Sequence, residues 1–263
     1  VRDFHVDGLR LDVASAILDD SKPHLCAELA ARVREVDPHA LVISEMEVGD
    51  WRPLDEWGHD AQWFDAAHHH LHVLLTGERD GYYAPFGSVE RLADELQGSG
   101  REPRRLVIYA QNHDQVGNRA HGDRLPEGGL RVAAAVTLFS PCTPLLFMGE
   151  EAFTTAPFQF FTDHIDPAIA EATREGRRRE FAGFAAFSGE GVPDPQALET
   201  FLRSKLQPRE PDPLYRELLA LRRHLPRVLE AEADEAAQVL RLRRGDATLV
   251  ADFGNLRVEF SRR

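Results

Sequence analysis

The sequence predicts an α/β protein: part of a (β/α)8 barrel, about strands 4 to 8, followed by the start of a C-terminal β-sandwich domain. Three observations carry this. Short apolar runs end in acidic residues at Val6 to Asp12 (VDGLRLD), Leu41 to Glu45 (LVISE) and Leu106 to Asp114 (LVIYAQNHD). Asp12 and Glu45 are 33 positions apart, and Glu45 and Asp114 are 69 apart, close to one and two βα units of roughly 30 residues each. From Gln238 the pattern changes to alternation of apolar and polar residues, broken at Arg244-Gly245-Asp246 and Gly254-Asn255, which is hairpin grammar. The expected boundaries are 1–225 for the barrel portion and 226–263 for the β domain, with about three strands in the latter.

Taken in order, the run at Val6 to Asp12 predicts the first strand. Asp19 to Val36 has helical spacing through Leu25, Leu29, Arg32, Val33 and Val36, with Ser21 as capping candidate and Asp37-Pro38 as stop. Leu41 to Glu45 is the second strand, Ala61 to Phe64 a third and Leu106 to Ala110 a fourth. Helices are expected from Ala66 to Thr76, Val89 to Leu96 and Gly129 to Phe139, with Leu145 to Met148 as the fifth strand. Further helices are expected over Ile169 to Ala186, Pro195 to Ser204 and Pro213 to Arg223. Five parallel strands fall short of the eight that close a barrel. The chain opens on Val1, directly before a strand, so about three βα units and the natural beginning are expected upstream.

The 263 residues are 43% hydrophobic and 29% charged, with 44 acids against 31 bases and a formal charge of -13. That balance disfavours unaided binding to nucleic acid or an anionic membrane, and it suits a neutral substrate such as a sugar. No segment approaches the roughly 20 apolar residues of a membrane-spanning helix. Cys26 and Cys142 are expected as buried thiols in a reducing compartment, which favours a cytoplasmic location.

Asp12, Glu45 and Asp114 are the candidate catalytic residues. Each alone reads as a capping or ion-pair residue, but three acids ending three strands of one parallel barrel belong at the face where such barrels do their chemistry. Cleaving a glycosidic bond with retention takes a carboxylate nucleophile and a carboxylic acid about 5 Å apart. Arg10, two positions before Asp12, shares its strand face and can hold it ionised. Glu45 in that scheme needs a less solvated, apolar setting, for which Trp51 or its neighbours are the candidates. His113 and Asp114, in the loop QNHDQVGN, can point into the barrel mouth.

In order and spacing, DGLRLDVA, ISE and QNHDQVGN resemble three signature segments of glycoside hydrolase family 13, the α-amylase family of TIM-barrel enzymes. The resemblance implies Asp12 as nucleophile, Glu45 as general acid/base, Asp114 as stabiliser of the transition state, and Arg10 and His113 as substrate contacts. The family's earlier Asn-His signature is absent from this chain. DAQWFDAAHHHLHVLLTGERDGYYAPFG, FMGEE, PFQFFTDH, REGRRREF, PDPQ and TFLRSKL are similar to the branch of that family that releases trehalose from maltooligosyl-trehalose. This likeness implies maltooligosyl-trehalose and other α-1,4-glucans as substrates, a pathway shared with maltooligosyltrehalose synthase, and no cofactor. A glycogen-branching or amylase-like enzyme, or a non-catalytic α-glucan-binding fragment, are the alternatives.

Asp65, His68 and His69 are further candidate substrate contacts. One departure falls there: Asp65-Ala66-Ala67 stands where two acids and an aromatic are expected before the histidine pair. His68, His69, His70 and His72 also admit a metal reading, but no HExxH pattern is present and none is expected. Trp51, Tyr82, Tyr83, Phe158, Phe160 and Phe161 could stack on sugar faces or simply pack. Arg177, Arg178 and Arg179 read as a solvated helix face, and Arg244-Gly245-Asp246 as a hairpin turn.

Overall fold

Five parallel strands, β1 (Gly8–Leu11), β2 (Leu41–Ser44), β3 (Ala61–Trp63), β4 (Leu106–Ile108) and β5 (Thr143–Pro144), pair in chain order. This is the partial barrel architecture expected. The structure is a computed structural model that describes residues 1–181 and 191–262. The described residues fall into two compact units, one of Val1–Ala110, Arg131–Leu145 and Leu218–Arg263, the other of Gln111–Leu130 and Leu146–Glu217. No helix among the described residues is long and apolar enough to cross a membrane.

The helices are α1 (Leu25–Val36), α2 (Arg52–Asp55), α3 (Asp65–Thr76), α4 (Val89–Leu96), α5 (His113–Gly117), α6 (Glu127–Phe139), α7 (Pro167–Phe181), α8 (Leu198–Arg203) and α9 (Pro213–Arg222). α1 starts later than its spacing predicts. The Asp19 carboxylate accepts from the Ser21 amide and hydroxyl and from the Leu25 amide, which winds residues 19–24 into a turn ahead of the helix. His24 then caps α1 by accepting from the Cys26 amide at 3.1 Å. The fifth strand is also displaced: β5 is Thr143–Pro144, while the apolar run Leu145 to Met148 continues beyond it. Proline, which cannot donate to a ladder, sits here on the outermost strand. For α7, the expected residues 182–186 lie outside the described residues.

Alternation sorts the sheet into two faces. Leu9, Leu11 and Val42 pack with Ala30 and Val33 of α1. Ala61, Trp63, Val107 and Tyr109 form a second cluster with Ile43 and Leu145 on the opposite side. Glu45 is two residues beyond Ile43, and Arg10 is paired with Ile43 across β1 and β2, so both belong to that second side. Gly8 permits the approach of β1 to β2, because a Cβ there would stand 2.7 Å from the Leu41 carbonyl oxygen.

The small sheet has four antiparallel strands in order, β6 (Glu230–Asp234), β7 (Val239–Arg244), β8 (Ala247–Asp252) and β9 (Arg257–Arg262), one more than predicted. β6 reads EAEAD, so alanine is its only apolar signal and the alternation is easily missed. Leu240, Leu242 and Leu249 are fully buried from β7 and β8. Gln97, just after α4, donates to the Leu229 carbonyl at 3.3 Å. Glu235, between β6 and β7, accepts from Ser88 Oγ at 3.1 Å and the Glu90 amide at 3.0 Å, at the N-terminus of α4.

The hairpin turn read at Arg244-Gly245-Asp246 is present between β7 and β8, and Arg244 has a further role. It ends β7, is buried, and donates to the carbonyls of Pro226 at 2.7 Å, Phe139 at 2.7 Å and Ser140 at 3.2 Å. Arg222 donates to the neighbouring carbonyls of Leu138, Ser140 and Cys142. Two cations thus satisfy the C-terminal carbonyls of α6, the end of a helix where positive charge is favoured.

In the second unit Phe147 and Phe158 meet edge to face at 5.2 Å, and Arg124 donates to the Ala156 carbonyl at 2.7 Å and the Met148 carbonyl at 3.0 Å. Arg177 is not solvated as expected. It is buried, with its guanidinium carbon 4.8 Å from the Phe160 ring and 4.7 Å from the Phe181 ring, whereas Arg178 and Arg179 are exposed.

Candidate active site

Asp12, Val13 and Glu45 follow directly on the ends of β1 and β2, at the C-terminal rim of the parallel sheet. The two backbones are laced there: the Glu45 amide donates to the Leu11 carbonyl at 3.0 Å, and the Ala14 amide donates to the Glu45 carbonyl at 3.0 Å. Between them Val13 takes a left-handed conformation, φ 40° and ψ 50°, which a β-branched residue rarely adopts. Its amide is thereby aimed at the Glu45 carboxylate and donates to Oε2 at 2.9 Å.

Arg10 joins the two acids. Its Nη1 donates to Asp12 Oδ1 at 2.5 Å, and its Nη2 lies 2.9 Å from Glu45 Oε2. Each acid offers a carboxylate oxygen within 4.8 Å of the other's. The Arg10 guanidinium carbon stands 4.0 Å from the centroid of Trp63. Trp51, the candidate apolar neighbour of Glu45, has its ring 5.4 Å from the Phe64 ring and 4.5 Å from the Arg101 guanidinium carbon.

Asp65 lies two residues beyond β3 as the first residue of α3, and it accepts a hydrogen bond from the Tyr109 hydroxyl. His68, His69, His70 and His72 follow on α3 and are all buried. His68 faces Tyr109 and His72, while His69 faces Tyr82, Tyr83 and Phe86. Burial pushes His68 far down from the ordinary histidine range and His69 down to about 4, the neighbouring histidines adding to the effect. Both are neutral near pH 7. His70 Nδ1 accepts from the amides of Gly87 and Ser88, each at 3.0 Å, so its proton resides on Nε2, which faces Glu95 at 3.7 Å.

His113 and Asp114 open α5 in the second unit, where Asn112 caps the helix by accepting from the Gln115 amide at 2.7 Å. Their side chains are neighbours, His113 Nε2 lying 3.1 Å from Asp114 Oδ2. Of the sequence-derived candidates, then, Arg10, Asp12 and Glu45 form one cluster in the first unit and His113 and Asp114 a pair in the second. Trp63 and Val13 were not singled out from the sequence. The indole's place on the Arg10 face was foreshadowed only by alternation on β3, and no residue-type signal announces the Val13 backbone.

No protein-family model matches the sequence. Curated relatives do. The malto-oligosyltrehalose trehalohydrolase of Arthrobacter ramosus is 42% identical over 93% of this chain and 50% of its own length. That of Deinococcus radiodurans is 41% identical over 86% of this chain and 43% of its own. The chain resembles the malto-oligosyltrehalose trehalohydrolases. It spans about half the length of the curated relatives it matches. Among solved structures, a Salmonella typhimurium protein provisionally named as an α-amylase superposes with a TM-score of 0.76 at 33% identity, over 94% of this chain and 50% of that one. A γ-cyclodextrin glucanotransferase from the alkalophilic Bacillus clarkii, at 14% identity and TM-score 0.58, shares the fold over 95% of this chain and 32% of its own.

Proposed function

We propose that the protein carrying this chain is a retaining glycoside hydrolase that cleaves the α-1,4-glucosidic bond next to the terminal trehalose of maltooligosyl-trehalose. The observation that carries the reading is the Asp12–Arg10–Glu45 cluster, whose carboxylate oxygens lie within 4.8 Å. A retaining pair needs its two carboxyl groups about 5 Å apart, whereas an inverting pair stands farther apart to admit a water.

Glu45 protonates the oxygen of the bond to trehalose as Asp12 attacks the anomeric carbon, so trehalose leaves and a covalent glycosyl-enzyme remains. Glu45, now ionised, takes a proton from water, which releases the maltooligosaccharide and frees Asp12. Asp114 is the third carboxylate of the proposal, favouring the developing positive charge on the ring, with His113 beside it on sugar hydroxyls. Asp65, His68 and His69 enter as further sugar contacts on one ground: they occupy the first turns of α3, which starts at the same end of the sheet as Asp12 and Glu45. The substrates proposed are maltooligosyl-trehalose and related α-1,4-glucans, following a maltooligosyltrehalose synthase that builds the trehalose end. A cytoplasmic setting is proposed from the two free, buried thiols of Cys26 and Cys142.

In the protein as its gene encodes it, Asp12→Asn is expected to lower trehalose release from maltooligosyl-trehalose by at least 1,000-fold. A variant within a factor of ten of the parent removes the nucleophile assignment. The likeness to an enzyme named as an α-amylase favours a second reading, for which the parent would shorten plain amylose faster than it releases trehalose.

A further inference from the structure

We propose that Trp63 is a positioning residue for this site: its indole fixes the plane of the Arg10 guanidinium, and so fixes the bridge from Asp12 to Glu45. The inference rests on the function proposed above. Arg10 is asked to serve two carboxylates at once, with Nη1 at 2.5 Å from Asp12 and Nη2 at 2.9 Å from Glu45. A guanidinium left to itself prefers to meet one carboxylate with both prongs of its fork. Sharing the fork between two acids requires the plane of the group to be held by something other than the acids.

Trp63 supplies that hold. The Arg10 guanidinium carbon lies 4.0 Å from the ring centroid, well inside the reach of a cation–π contact, for which indole is the strongest natural partner. The ring is itself braced. It is buried, packed with Ala61, Val107 and Tyr109, and inclined at 58° to the Tyr109 ring at 5.2 Å. Tyr109 is tied in turn through its hydroxyl to Asp65. A run of contacts thus leads from Arg10 on β1 through Trp63 on β3 and Tyr109, just past β4, to Asp65 at the start of α3, and Trp63 is the member that touches Arg10.

The test compares Trp63→Leu, Trp63→Phe and Asp12→Asn in the protein as encoded. It measures kcat and KM for trehalose release, the pH dependence of kcat/KM, and thermal melting. Trp63→Leu is expected to lower kcat at least tenfold with KM changed less than threefold. Its acidic limb should move to higher pH, because a loosened cation favours the ionised carboxylates less. Trp63→Phe, which keeps a π face, should recover at least a third of the parent kcat and most of the limb position. A role in packing alone would lower the melting temperature and leave the limb where it was, and that result overturns the inference. So does a folded Trp63→Leu enzyme with kcat within twofold of the parent. If Trp63→Leu does not fold, Trp63→Met, which fills the space without a π face, decides: a limb moved upward supports the proposal, and one unmoved overturns it. An active Asp12→Asn enzyme would remove the reading of the site itself, whereas an inactive one beside an unaffected Trp63→Leu removes only the role given to Trp63.

Discussion

The guanidinium of Arg244, at the end of β7, donates from Nη1 to the carbonyl of Phe139, the last residue of α6, at 2.7 Å. Through this bond and those to Ser140 and Pro226, the small antiparallel sheet is joined to the segment that leads into β5. Burial pushes Arg244 down to about 10, with Arg222 contributing, yet it remains charged at neutral pH.

Arg244→Ala is expected to destabilise the fold by about 2–4 kcal/mol, since it removes charge-assisted bonds and strands buried carbonyls. Arg244→Lys should restore less than half, because one ammonium cannot span three carbonyls. Chemical denaturation measures both, and a loss under about 1 kcal/mol for the alanine variant contradicts the clamp.

Val13 offers the opposite effect. A β-branched residue held at φ 40° costs about 1–2 kcal/mol relative to its relaxed backbone, and asparagine tolerates that region far better. Val13→Asn is therefore expected to raise stability by about 1 kcal/mol while the amide keeps its bond to Glu45. A lower melting temperature in the variant would mean that the strain is absent in solution.

The pH dependence of stability follows from buried acids and bases. Glu95 and Glu150 are pushed up to about 8, in both cases chiefly by burial, from an ordinary value of 4.5. Between those limits the folded chain holds a proton that the unfolded chain has released, so stability falls as pH rises from 4.5 to 8. His69 and His70, pushed down to about 4 by burial, act with the opposite sign between 4 and 6.5, where only the unfolded chain is protonated. Above 6.5 the carboxyls alone of these groups remain, at up to about 2 kcal/mol each between pH 6.5 and 8. Melting temperature should drop across that interval, and Glu95→Gln or Glu150→Gln should flatten the drop. A parent curve that rises there would refute the assignment.

Glu235 gives a smaller test of how the two sheets of the first unit are joined. Its Oε2 accepts from Ser88 Oγ and from the Glu90 amide, an orphan donor in the first turn of α4. Glu235→Ala should cost about 1 kcal/mol, in the range of lost helix caps, with hydrogen exchange rising first at residues 88–91. Unchanged exchange there would show the contact to be dispensable.

How much of this was legible in the sequence depends on what each residue's role requires. Strand-ending acids at unit spacing placed Asp12 and Glu45 at one rim, because period and length alone determine where a parallel strand ends. The alternation from Gln238 onward likewise announced the small sheet, in which Leu240, Leu242 and Leu249 are buried. Roles that depend on partners far along the chain were hidden. Arg244 sits in what reads as a turn, and nothing local says that Phe139 lies beneath it. Arg177 belongs to a run of three arginines, and only the fold decides which of them meets Phe160 and Phe181. β6 escaped notice because Glu-Ala-Glu-Ala-Asp carries almost no hydrophobic contrast, its pairing with β7 being made by the backbone. Val13 adopts its conformation through the crossing amides of Ala14 and Glu45, a tertiary demand that overrides the preference of its side chain.

Among the described residues β1 and β5 each have one hydrogen-bonded neighbour in the parallel sheet. The far side of β1 is therefore a docking rim for a strand of suitable length, whereas Pro144 blunts that of β5. Concentrated preparations of these 263 residues by themselves should consequently tend toward self-association through the β1 rim.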